Sequence, residues 1–150
     1  MAIKPPLPKK IVPAFVGAWF CFSNFYPVDI KYEKRNYPSV EHAFQAAKTL
    51  DNRSRSKIAR TESPAMAKKI GRQVVFRDDW EDVKIGIMYD LLKLKAAACV
   101  IFSEKLRLSG EAELIEGNWW HDIFWGKCNG IGHNHLGKLL MKLRDELRER

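Results

Sequence analysis

Residues 39–48 read SVEHAFQAAK. Val40, Ala43, Phe44 and Ala47 recur at i, i+3, i+4 and i+7, the spacing of one face of an α-helix, and Ser39 after Pro38 is placed to cap it. The segment therefore predicts a core helix, and the same period returns down the chain. A second short helix is expected near Arg53–Arg60. A third is announced by Ser63-Pro64, a cap followed by proline at the first helical position, and is stopped by Gly71. Asp79 is placed to cap a longer helix with Trp80, Val83, Ile87, Met88 and Leu91 on its apolar face, which continues or breaks before Phe102–Leu108 and ends at Ser109-Gly110. A last helix from about Asn134 carries the stripe Leu136, Leu139, Leu140, Leu143 and Leu147. Upstream, FVGAWFCFSNF (15–25) and DIKYEKRNY (29–37) are rich in aromatic and β-favouring residues and read as two short strands. The expected fold is mainly α, one compact multi-helix domain with a few short β-strands near the N-terminus.

A chain of 150 residues suits one domain, here 15–150, preceded by a flexible, basic and proline-rich leader over 1–14. Apolar residues at 46% and charged residues at 29% are the composition of a soluble globular protein, and no apolar run approaches the ~20 residues that span a bilayer. The leader lacks the apolar core of a secretory signal. Three widely spaced cysteines, Cys21, Cys99 and Cys128, favour a reducing, cytoplasmic setting over a disulfide framework. The net charge of +8 suits a polyanionic partner, although solvated helix faces also carry such charge.

On the helix after Ser39, Glu41, Gln45 and Lys48 fall within an arc of roughly 60° beside the apolar stripe. An acid, an amide and an amine on one rigid face read either as a solvated flank or as a proton donor, an orienting group and a nucleophile at a cleft. His42, about 100° away from Glu41, reads as a surface or capping residue. The aromatic loop GNWWHDIFWG (117–126) wraps His121 and Asp122 in three tryptophans and is expected to be ordered but irregular.

Five motifs in order, FSNFYP (22–27), YPSVEHAFQAAK (37–48), GRQVVFRDDW (71–80) with Lys84 and Met88 behind it, LIEGNWWHDIFWG (114–126) and GHNHLGKLLMKLR (132–144), resemble the YbiA-like, or NADAR, family. The resemblance implies a mainly α-helical fold and hydrolysis of the N-glycosidic bond between a ribose C1 and a base or amine nitrogen. It implies two substrate groups, ADP-ribosylated guanine in nucleic acid and early riboflavin-pathway intermediates. The family's polar positions fall here on Glu41, Gln45, Lys48, Asp122 and Trp125, with Asn24 and Asn134 also matching. The loop around His133 and His135 departs from the pattern, so neither receives a role.

Cleaving such a bond builds positive charge on C1 and negative charge on the leaving nitrogen, so an anion and a proton donor are needed. Glu41 and Asp122 are the expected carboxylates, either of them serving as the acid. Lys48 is the third catalytic candidate: it attacks C1 to form a Schiff base or, if fully charged, binds phosphate. Phe22, Ser23, Asn24 and Phe25, with Gln45 and Asn134, are expected to contact substrate. Trp120 and Trp125 stack on a base or seal the core, whereas Trp119 and His121 read as structural. Arg72 and Arg77 hold phosphates or answer a helix dipole. Cys128, His121, His133 and His135 lack metal-ligand spacing, so neither metal nor cofactor is expected. ADP-ribosyl guanine is preferred to the aminopyrimidine ribotide on charge, and a non-catalytic nucleotide-binding module is the further alternative.

Overall fold

The computed structural model describes residues 10–149. Six α-helices enclose one core: α1 (Val40–Ala47), α2 (Asn52–Ala59), α3 (Pro64–Gly71), α4 (Trp80–Ala98), α5 (Val100–Leu108) and α6 (His135–Arg148). Every residue of α1 is buried, because α2, α3 and α4 all pack on it. Its start is fixed as the sequence predicts: the Ser39 hydroxyl accepts the His42 amide at 3.1 Å. His42 is not on the surface. Its ring joins the Ser39 hydroxyl at 2.7 Å and the Thr61 carbonyl at 3.1 Å, and it is fully enclosed between α1 and the end of α2. Burial lowers the imidazole's pKa, which keeps it neutral in this role.

The helix that begins after Asp79 breaks at Cys99, whose extended backbone separates α4 from α5. Asp79 makes no side-chain cap, because its carboxylate holds Arg77 instead at 2.6 Å and 3.1 Å. Gly110, at φ +61°, turns the chain out of α5.

Strand content differs from expectation in place. DIKYEKRNY does form a hairpin, β2 (Ile30–Tyr32) with β3 (Arg35–Tyr37), turned by Glu33 and Lys34 in the left-handed region. FVGAWFCF does not form a strand: Gly17–Phe22 is a 3-10 helix, in which Trp19 and Phe22, three apart, stack with centroids 5.4 Å from each other. Aromatic residues at that spacing fill the core on one side without a pairing strand. The remaining strands lie partly in the second half. β1 (Ile11–Val12) pairs parallel with β4 (Glu113–Leu114), and β5 (Gly117–Asn118) pairs parallel with β6 (Lys127–Cys128). Part of the expected leader is thus ordered at Ile11–Val12, and its residues 1–9 lie outside the described residues.

Among the described residues no helix is long and apolar enough to cross a membrane.

Candidate active site

A cavity of ≈ 620 Å³ opens where the 3-10 segment, α1, α3 and the aromatic loop meet. Its polar lining comes from Glu41, Gln45 and Lys48 of the α1 seam, Lys68 and Arg72 of α3, and Glu116 and Asp122 of the loop. The two walls anticipated from sequence do face each other across one space.

Glu41 sits at the first turn of α1, buried, and its Oε1 accepts the Gln45 amide nitrogen at 2.7 Å. Burial raises its pKa, opposed by that hydrogen bond and by Lys68 and Lys48. Lys48 follows the helix as its C-cap. Burial lowers its pKa against the pull of Glu41, and its ammonium lies 5.4 Å from the centre of the Phe76 ring. Among the described residues Lys48, Lys68 and Arg72 have no ion-pair partner, whereas Arg77, Lys84, Lys93, Arg107 and Arg148 are each paired with an acid. Three unpaired cations thus line the cavity.

Asp122 Oδ1 accepts the amides of Phe124 at 3.2 Å and Trp125 at 3.0 Å, so one oxygen shapes its own turn. Asn118 braces the same turn, accepting the Asp122 amide at 3.0 Å and donating to its carbonyl at 2.8 Å. Trp125 reaches the cavity edge while packing edge-on against Phe44 at 5.3 Å, so it both lines the site and seals the core. Trp120 lines the mouth and is 47% exposed. Trp119 is 82% exposed and stands edge-on to Trp120 at 5.6 Å, which places it outside the packed structure rather than within it.

Ser23, Asn24 and Phe25 form the opposite rim. The Asn24 carbonyl accepts the Glu41 amide at 3.0 Å, joining this turn to α1, and its side-chain oxygen is buried without a partner. Three expected contacts lie elsewhere. Phe22 is fully enclosed behind the wall, in edge contact with Phe15 and Phe102. Arg77 is turned away and held by Asp79, contributing instead its backbone amide to the Lys48 carbonyl at 2.7 Å. Asn134 is buried behind the cavity, accepting the Glu116 amide at 2.9 Å and donating to the Leu114 carbonyl at 2.9 Å. Its left-handed backbone opens α6 at the same time, so it positions Glu116 instead of touching the cavity.

Glu116 itself is the residue that sequence reasoning passed over. Its Oε2 is buried and unpartnered, and burial, then Asp122 and Glu41, push its pKa up to about 7. An acid set between Ile115 and Gly117 in an aromatic segment was the available signal. Lys68 was missed because a lysine near a helix C-terminus is ordinary. Among the described residues no group of three His, Cys, Asp or Glu could hold a metal ion.

The family model described as NADAR domain matches residues 15–148. The N-glycosidase YbiA of Shigella boydii is 39% identical over 129 residues, 84% of this chain and 80% of that protein. A riboflavin biosynthesis protein of Vibrio vulnificus is 36% identical over 130 residues, 85% of this chain and 35% of that protein. The solved NMR structure of the Escherichia coli protein YbiA superposes with a TM-score of 0.83 at 34% identity, covering 95% of this chain and 88% of that one.

Proposed function

The chain belongs to the NADAR domain family and is an N-glycosidase, and we propose that it releases ADP-ribose from ADP-ribosylated guanine in nucleic acid. One observation carries the chemistry: Glu41, Glu116 and Asp122 converge with an unpaired Lys48 on a single cavity. Hydrolysis of a ribose C1–N bond needs both a proton donor at the leaving nitrogen and stabilisation of the cation at C1. Glu116, raised to about 7, is protonated over much of the neutral range and supplies the proton. The Lys48 amine, its pKa lowered by burial, attacks C1 as the C–N bond breaks. Ring opening with protonation of the ring oxygen leaves a Schiff base, which water hydrolyses to free sugar and amine. Glu41, aligned by Gln45, takes the proton that Lys48 loses on attack and delivers it to the ring oxygen as the ring opens, and its carboxylate then takes a proton from the water that hydrolyses the Schiff base. Lys68 and Arg72 face the sugar's phosphates.

The exposed Trp119 beside Trp120 supports a polymeric substrate, since a ring at the mouth suits a base flanking the one being processed. The names of relatives equally support the riboflavin-pathway ribotide as substrate. Incubation with an oligonucleotide bearing ADP-ribosylated guanine, followed by mass analysis, is expected to show free ADP-ribose. Turnover of the aminopyrimidine ribotide with no such release overturns the choice. Borohydride during turnover is expected to trap a covalent adduct that Lys48→Ala abolishes; a fully active Lys48→Ala enzyme removes the lysine from the reaction.

A further inference from the structure

Lys95, on α4, is the most enclosed cation among the described residues, with 0% exposure and no carboxylate within ion-pair distance. Burying an ammonium is expensive, and a methionine would fill the same volume without that cost. Its surroundings explain part of its tolerance: the ring of Phe102 lies 4.4 Å away and that of Tyr26 5.7 Å, and Cys21, Cys99 and Glu116 act on it electrostatically. Its one hydrogen bond to protein runs to the Ser23 carbonyl at 2.9 Å, across 72 residues of sequence.

That carbonyl belongs to the turn that forms the cavity rim. Within it, the Ser23 hydroxyl accepts the Phe25 amide at 3.1 Å, Asn24 donates to the Met88 sulfur at 3.6 Å, and the Asn24 carbonyl accepts the Glu41 amide at 3.0 Å. Lys95 thus pulls on the turn from the core side while Glu41 hangs from its other side. We propose that Lys95 is a positioning residue, a core-side tether that sets the place of the Ser23–Phe25 wall and, through Asn24, of Glu41. It never meets the substrate; it acts through the turn. The proposal rests on the reading of Glu41 as part of the reacting site.

Lys95→Met tests it, with Lys95→Arg as the variant that keeps a donor. The Met variant is expected to fold with a melting temperature no lower than the parent's and to lose about tenfold or more in kcat/KM, because a small displacement of a reacting group costs that much. Its Glu41 amide is expected to exchange with deuterium about tenfold faster, with amides of α6 unchanged. The Arg variant is expected to recover part of both. A Met variant that fails to fold, that is as active as the parent, or whose Glu41 amide exchanges as slowly as before overturns the tether. If the parent shows no N-glycosidase turnover at all, the reading of the site fails, and the exchange measurement still decides the tether by itself.

Discussion

Two buried ionisable side chains, Glu116 and Lys95, tie stability to pH in opposite senses. Glu116 is raised from 4.5 to about 7, so its contribution to stability is complete below pH 4.5 and is lost as pH rises through 7. In the proposed reaction, where it is the donor, it must also be protonated to act. Activity is therefore expected to fall as pH climbs above about 7, and Glu116→Gln is expected to cut kcat by roughly 10²-fold or more and to remove that alkaline limb. A pH–rate profile of the two proteins checks it; an unchanged limb in the Gln variant shifts the acid to another group. Lys95 is lowered from 10.5 to about 7, so its stability contribution is complete above pH 10.5 and is lost as pH falls through 7. The Lys95→Met protein is accordingly expected to gain stability over the parent between pH 10 and pH 6, by up to roughly 4 kcal/mol. Urea unfolding at the two pH values measures the difference directly.

At the scale of elements, the meeting of α1 and α3 governs how Glu41 is held. A Cβ built on Gly71 would lie 2.0 Å from Gln45 Oε1 and 3.0 Å from its Cβ, so the amide must swing away and release Glu41. Gly71→Ala is expected to lower kcat/KM by about ten- to a hundredfold, the order of a lost hydrogen bond to a charged group, while circular dichroism keeps its helical signal. Full activity in that variant would show that Gln45 does not orient Glu41. Helices α1 and α3 were legible because helical period and a serine cap agree in each, and α6 because its leucine stripe is long and regular. The 3-10 helix was not, since Trp19, Phe20 and Phe22 favour strands locally and only packing against Phe15 and Phe102 overrules them. For the same reason the seam of Glu41, Gln45 and Lys48 could be seen, being fixed by helical geometry, whereas Asn134 could not be separated from the substrate contacts. Its side chain and the Glu116 amide are joined only by tertiary structure, 18 residues apart.

For the molecule as a whole, the cavity draws its lining from segments between Phe15 and Leu136, so no single element owns it. The excess of positive charge is uneven in effect. Arg77 and Arg107 are each paired with an acid, while Lys48, Lys68 and Arg72 have no ion-pair partner and line the cavity together with Trp120 at its mouth. Unpaired cations beside an exposed indole match a substrate that offers phosphates and bases together. Neutralising about three phosphates of a single strand gives a steep dependence on salt, roughly twentyfold in affinity between 50 and 200 mM. KM for an oligonucleotide substrate is therefore expected to rise by that order over the interval, with kcat little changed. A ribotide with one phosphate has no condensed counterions to release and is expected to depend much less on salt over the same range. Steady-state kinetics at the two ionic strengths separates the substrates on the protein's own electrostatics: equal salt sensitivity for both would mean that the polymer gains nothing from the charged rim, and would favour the small metabolite.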